Sequence, residues 1–235
     1  MIPKIIHYCW FGGKELPKEV QKCINSWKKF CPDYKIIRWD ESNYDVYKNP
    51  YTRYCFENKK WAFLSDYARL DIVYSHGGIY LDTDVEIIKS WDPLLKNECF
   101  LGMEQPGCIN TGLGFGAKKG NNYIKENKEY YEITPFLKKN NKWIKTTCVK
   151  ITSKLLVNEG LTAENKTQTI KNIVIYPTNF FCPKVIGTNK INITDNTYSI
   201  HHYDASWKSN SKILRRISYF LIPIKSTIKK IIGIK

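Results

Sequence analysis

With 235 residues, 43% of them hydrophobic and 25% charged, the chain is long enough for one large α/β domain and has the composition of an ordinary globular protein. No run reaches the ~18 apolar residues of a membrane-spanning helix, and none of the eight cysteines stands in a C-x-x-C pair, which argues against a zinc site. The net charge of +15 is uneven: residues 208–235 hold eight Lys/Arg and no acid, and no recognised nucleic-acid motif accompanies the basic excess.

In chain order, "KIIHYCW" (4–10) predicts a first strand closed by Gly12 and Gly13, and "PKEVQKCINSWKKF" (17–30) a helix with Val20, Ile24 and Trp27 at helical spacing. "YKIIRW" (34–39) is a second strand, so the chain opens as β-α-β and implies a parallel pair. A Tyr- and Asn-rich connection is expected over 43–60. "KWAFLSDYARLDIVYSHGG" (60–78) predicts the clearest helix, with Trp61, Leu64, Ala68, Ile72 and Val73 on its apolar face and Gly77–Gly78 at its end. Ile79 to Leu81 then form a short strand. "CFLGMEQ" (99–105) and the glycine-rich "INTGLGFGA" (109–117) predict further strands. Helices follow over 121–133 and 147–160, and a last strand over "IVIYPTNFFCP" (173–183). The absence of a leader-like apolar run at the start, together with reduced thiols, reads as a cytoplasmic protein.

The chemistry concentrates in "GGIYLDTDVEII" (77–88). In an extended strand Asp82, Asp84 and Glu86 fall on one face, and three carboxylates there repel each other unless a cation sits among them. Asp66 and Arg69 share a face of the preceding helix, and the helix–turn–strand path returns that face beside Asp82. Two carboxylates and a guanidinium in one crevice at strand ends are how open α/β sheets build ligand sites. A hard divalent cation on Asp82 and Asp84 would neutralise a diphosphate. His7 is expected to satisfy a structural hydrogen bond, His76 to sit at a helix end, and Glu86 to face solvent.

"AFLSDYARLDIVYSHGGIYLDTDVEI" (62–87), with "IPKIIHYCWFGG" (2–13) before it and "IHHYDASW" (200–207) after it, resembles the family 32 glycosyltransferases. These are DXD sugar transferases of capsular polysaccharide, lipopolysaccharide and yeast mannan assembly, distantly like the clostridial glucosylating toxins. The resemblance implies a GT-A fold, a Rossmann-like mixed sheet flanked by helices over residues 1–207. It implies a retaining, metal-dependent transfer of a hexose from a nucleotide sugar, a UDP-sugar ahead of a GDP-sugar, with Mn2+ (or Mg2+). It makes Asp66, Arg69, Asp82 and Asp84 catalytic. Trp10 would stack on the donor base, Asp66 and Arg69 would hold sugar hydroxyls and ribose, and Tyr80 would line the donor pocket. Asp82 would bridge ribose or sugar and metal, and Asp84 would bind the metal directly. Asn110 and Thr111 would reach the transferred sugar, with Ser206 and Trp207 at the diphosphate. A histidine completes the metal shell; a strand sends His201 and His202 to opposite faces, and His202 is preferred.

The acceptor is expected to be a glycan or a lipid-linked saccharide; a toxin-like transfer to a protein side chain is the alternative. From Ile213 to Ile232 apolar residues recur at spacings of three and four with Lys and Arg between them. That pattern makes 208–235 a basic amphipathic helical tail that docks the enzyme peripherally on the anionic inner face of the membrane. Two other readings, a nucleic-acid-binding protein and a catalytically silent sugar binder, are weaker because the basic residues cluster in the tail and the acids and Arg69 are all present.

Overall fold

A computed structural model describes residues 1–184, 188 and 190–203. The tail expected over 208–235, and Ser206 and Trp207, lie outside the described residues. The chain begins with β1 (Ile5–Cys9), α1 (Lys18–Phe30) and β2 (Lys35–Trp39), the expected β-α-β unit with parallel pairing. The predicted connection over 43–60 contains a helix, α2 (Pro50–Glu57). Its start is a local device: Asn49 accepts a hydrogen bond from Thr52 N at 2.9 Å, and Pro50 occupies the first turn, where no amide is needed.

Helix α3 (Trp61–His76) leads into β3 (Gly78–Tyr80). Gly77 and Gly78 both have positive φ, and Gly77 N–H returns to Val73 O at 2.8 Å, so the helix ends and the strand begins within two residues. The predicted apolar face is buried from Leu64 onward, with Trp61 part-buried, but so is the opposite one, with Asp66, Tyr67, Arg69, Leu70 and Asp71. The reason is placement: α3 packs on β1 and β3 with one side and on α2 and α4 (Asn122–Ile133) with the other.

The remaining strands are β4 (Val85–Ile87), β5 (Cys99–Gln105), β6 (Cys108–Ile109), β7 (Phe115–Ala117), β8 (Gln168–Ile170), β9 (Ile173–Tyr176) and β10 (Ser199–His201); α5 spans Cys148–Asn158 and α6 Thr178–Phe181. The main sheet runs β2-β1-β3-β7-β5-β9-β8, with β6 beside β5. Strands β1, β2 and β3 are parallel, and β7 is antiparallel to both of its neighbours, so the sheet is mixed. Alternation assigns the faces. Tyr80, Cys99 and Leu101 point to the α3 side, while Ile79, Leu81 and Phe100 point to the side closed by α1, Trp91 and Phe181. With both faces covered, the central strands read as continuous apolar runs.

Three expected strands are interrupted. The 109–117 segment folds as β6, a turn over 110–114 and β7, because the Asn110 side chain accepts from Gly112 N at 2.7 Å and Gly114 takes φ +114°. The 173–183 segment stops at Pro177, after which α6 begins. Beyond β3 the chain turns at Thr83–Asp84 and then enters a separate two-stranded ribbon, β10-β4. Trp27 and Ser26 of α1 hold that ribbon, through Trp27 Nε1–H to Val85 O at 2.7 Å and Ile87 N–H to Ser26 Oγ at 2.9 Å.

His7 is structural, as expected. Its Nε2 meets Gly77 O at 2.9 Å and its Nδ1 accepts from Trp39 Nε1 at 3.1 Å, which fixes a neutral ring with the proton on Nε2. Burial pushes its pKa down to about 4, the Gly77 bond opposing only in part. The unfolded chain therefore binds this proton between pH 6.5 and 4 when the folded one does not, and His7 removes stability as pH falls through that window. Asp66, with a pKa pushed up to about 6, has the opposite slope. His7→Gln keeps a donor and an acceptor without the titration. Chemical denaturation of both proteins from pH 7 to 4 should show wild type losing on the order of 3 kcal/mol more than the variant; parallel curves would remove His7 from the account.

Candidate active site

Arg69 occupies the centre of the crevice at the C-terminal end of β3. Its side chain is 4% exposed. Nη2 lies 2.9 Å from Asp82 Oδ1 and Nη1 3.2 Å from Asp66 Oδ1. Nη1 also donates to Thr111 Oγ1 at 3.2 Å and approaches Cys148 Sγ at 3.7 Å, while Nε donates to Ser65 O at 3.1 Å. The guanidinium lies over the Tyr80 ring, 4.9 Å from its centroid, and the Tyr80 hydroxyl donates to the same Asp82 oxygen at 3.0 Å. Asp66, Arg69, Tyr80, Asp82, Asn110 and Thr111 are thus brought together as the sequence predicts.

Burial raises the pKa of Asp66 to about 6, with Arg69 pulling it down and Asp82 pushing it up. Burial likewise raises Asp82, again against Arg69 and with Asp84 adding to the rise. One guanidinium serves two carboxylates, so the group carries excess negative charge before Asp84 is counted. Such an arrangement is stabilised by a cation.

The ribbon supplies the rest. Asp84 stands in the turn, and His201 of β10 places Nε2 3.1 Å from Asp84 Oδ1. Asp82, Asp84 and His201 each offer a ligand atom, and these atoms all lie within 4.8 Å of one another. Burial alone would lower the pKa of His201, but the Asp84 carboxylate and its hydrogen bond outweigh it and raise it. His201 Nδ1 is buried without a hydrogen-bond partner among the described residues. Two carboxylates and an imidazole fit a divalent cation that accepts oxygen and nitrogen ligands.

This corrects two expectations. His202 is not the histidine beside Asp82 and Asp84: its Nε2 bonds Glu86 Oε2 at 2.9 Å, and its backbone N–H reaches Asp84 O at 3.0 Å. Strand parity separates the two histidines, and the pairing of His201 with Val85 turns His201 inward. The three acids do not share a strand face either. Asp82 and Asp84 belong to a turn, and Glu86 leaves with the ribbon.

Trp10, half-buried, follows the C-terminal end of β1 and donates its indole N–H to Lys14 O at 2.6 Å. Three contributors escaped the sequence reading. Cys148 opens α5 against Arg69 and Asn110, and Glu104 accepts from Asn110 Nδ2 at 2.9 Å. Gly112 receives Asp82 N–H on its carbonyl at 3.3 Å, and a Cβ on it would stand 2.2 Å from Asp82 Oδ2. The glycine-rich "NTGLG" was the available signal for the last.

The model of the glycosyltransferase sugar-binding region containing the DXD motif matches residues 17–101, which run from α1 through the Asp82–Asp84 turn into β5. Inositol phosphoceramide mannosyltransferase 3 of Schizosaccharomyces pombe is 32% identical over 128 residues, 52% of this chain and 35% of that protein. Mannosyl phosphorylinositol ceramide synthase SUR1 of Saccharomyces cerevisiae is 35% identical over 123 residues, 48% of this chain and 31% of that protein. Residues 17–101 thus carry the region typical of DXD glycosyltransferases. Among solved structures, PaToxG glycosyltransferase superposes with a TM-score of 0.50 over 68% of this chain and 69% of that one at 19% identity, a likeness of fold. The GT-A fold expected of the enzyme is the one it has. The matched part spans about a third of the length of these yeast relatives.

Gly112→Ala tests the geometry of the crevice. The added methyl must displace Asp82 or the 110–114 turn, and a shift of about an ångström at such a centre costs ~100-fold in rate. The variant should lose about that much transferase turnover with a melting temperature within a few degrees of wild type. Turnover within a few-fold of wild type would show that Asp82 tolerates the shift.

Proposed function

We propose that the enzyme transfers a hexose, with retention of configuration, from a nucleoside-diphosphate sugar to a saccharide or glycolipid acceptor in the assembly of a surface polysaccharide or glycolipid. The observation that carries this is the convergence of Asp82, Asp84 and His201 beside the Arg69–Asp66 pair. Asp82, Asp84 and His201 would hold a divalent cation, manganese ahead of magnesium. When bound, the cation supplies positive charge against the diphosphate as it leaves.

The chain's own groups do the remaining work. Asp66 and Asp82 accept hydrogen bonds from sugar hydroxyls, and Arg69 keeps both carboxylates in place and charged. Tyr80 occupies one oxygen of Asp82 and so orients the other. Asn110 and Thr111, on the turn opposite, border the sugar. Trp10 offers an indole face to the base, its N–H edge pinned by Lys14 O. These fixed dipoles and charges are arranged before substrate arrives, which lowers the reorganisation the reaction must accomplish. The names of the yeast relatives bring mannose in as a candidate sugar and a phosphoinositol-bearing lipid as a candidate acceptor. Uridine diphosphate is the first nucleotide to test.

A donor-hydrolysis screen over uridine- and guanosine-diphosphate hexoses, with manganese, with magnesium and with chelator, decides the reading. One donor should be hydrolysed with manganese and not with chelator, and Asp84→Ala should lower that rate at least ~100-fold while the protein stays folded. Hydrolysis unaffected by chelator, or an Asp84→Ala rate within a few-fold of wild type, would contradict the metal role.

A further inference from the structure

The active-site end of α3 carries a concentration of lysine that the transfer chemistry does not use. Between Glu132 and Glu159 the sequence has six lysines and no acid. Four of them, Lys138, Lys139, Lys142 and Lys145, are exposed on a small hairpin that crosses the outside of α2 and α3. The hairpin is ordered by its backbone: Leu137 bridges Trp143, Lys138 N–H donates to Lys142 O at 2.9 Å, and Asn141 takes φ +58° at the tip. Trp143 fastens it to the domain, stacked on Tyr54 at 5.0 Å and 6° and edge-on to Phe63 at 5.4 Å.

That anchorage brings in a second basic turn. Lys59 and Lys60 join α2 to α3, and Lys60 Nζ lies 5.5 Å from the Trp143 ring centroid. Two lysine-bearing turns, more than seventy residues apart in the chain, therefore meet around one indole. Phe63, which that indole touches, is one helical turn before Asp66, so the patch borders the active-site crevice. Among the described residues, few acids stand at the helix ends beside the patch. Glu57 ends α2, and Glu132 is engaged by Lys128 and by the Tyr67 hydroxyl. Just before the hairpin, Ile133 leaves its side chain 79% exposed.

We propose that this surface, Lys59, Lys60 and the 138–145 hairpin with Ile133, docks on a bilayer of anionic lipids. Clustered like charges are compensated by a partner of opposite sign or by solvent, and each lysine near an anionic leaflet adds favourable energy independent of sequence. An exposed isoleucine beside them suits the boundary between headgroups and acyl chains. Single-stranded nucleic acid fits less well, because the indole in the patch is already stacked on Tyr54 and offers no open platform for a base. Docking by this face sets the mouth of the crevice against the membrane surface, within reach of a headgroup-borne acceptor. The inference does not depend on the donor reading, because vesicle binding and donor hydrolysis are measured separately.

The test uses the full chain and a Lys138→Glu/Lys139→Glu/Lys142→Glu variant, sedimented with vesicles of phosphatidylcholine alone or with about a third phosphatidylserine. Wild type should bind the anionic vesicles and not the neutral ones, with binding weakened by added salt. The variant should partition at least ~100-fold more weakly, since the contributions of separate basic segments multiply. Its donor hydrolysis in solution should match wild type. Asn140→Cys carrying an environment-sensitive dye reads the hairpin directly and should shift to the blue on anionic vesicles. Seven of the eight native cysteines are buried and Cys108 is part-buried, so the engineered thiol dominates labelling. Equal partition of variant and wild type, no dye shift, or binding to single-stranded RNA in preference to vesicles would overturn the proposal.

Discussion

The Arg69 guanidinium is buried with two carboxylates and a tyrosine ring, and the rest of the crevice is arranged around it. A charge taken out of water at that depth costs several kcal/mol unless its donors are all used. Here each donor group has a partner: Ser65 O on Nε, Asp66, Thr111 and Cys148 on Nη1, and Asp82 on Nη2. The partners come from α3, the end of β3, the 110–114 turn and the start of α5. One side chain thus joins the α3–β3 unit to two segments distant from it in sequence. Removing it leaves the buried Asp66 and the part-buried Asp82 without their counter-charge, a state more costly than never having had the pair.

The fold turns this constraint into a site. Helix α3 is covered on both sides, so Asp66 and Arg69 have no freedom to leave for solvent. Strand β3 ends at the buried Tyr80, and the backbone then turns so that Asp82 and Asp84 stand beyond the strand's C-terminal end. The β4–β10 ribbon, held on α1 by Trp27 and Ser26, carries His201 back to Asp84. Two units with separate hydrogen-bonding ladders, the main sheet and the ribbon, share the turn that bears the acids and pack into one apolar core. Local motion of the ribbon would move Asp84 and His201 together relative to Arg69.

Much of this was legible in the sequence because strong local patterns agree with the tertiary ones. The apolar runs of β1, β2 and β5 and the glycine pair after α3 set their elements within a residue or two. Asp66, Arg69, Asp82 and Asp84 followed from the path length between helix and strand. What was hidden depends on long-range pairing. The choice between His201 and His202 is a matter of strand parity, decided by which residue of β10 faces Val85, and adjacent histidines carry no sign of it. Asp84 was read as extended because Ile79 to Leu81 is apolar, but β3 is only three residues long and the turn breaks the alternation. Helix α2 was masked by its tyrosines and asparagines, though Asn49–Pro50 was a start signal. Cys148 touches Arg69 across 79 residues of sequence, a contact no periodicity reports.

The account's central claim is that Arg69 and Asp82 form one energetic unit on which the crevice depends. A double-mutant cycle on unfolding free energy, with Arg69→Met, Asp82→Asn and the double variant at neutral pH, measures this directly. The account predicts a coupling of about 2–3 kcal/mol, each single variant losing more than its share because it leaves the other charge buried and unpaired. A coupling near zero, with the two losses simply additive, would contradict it.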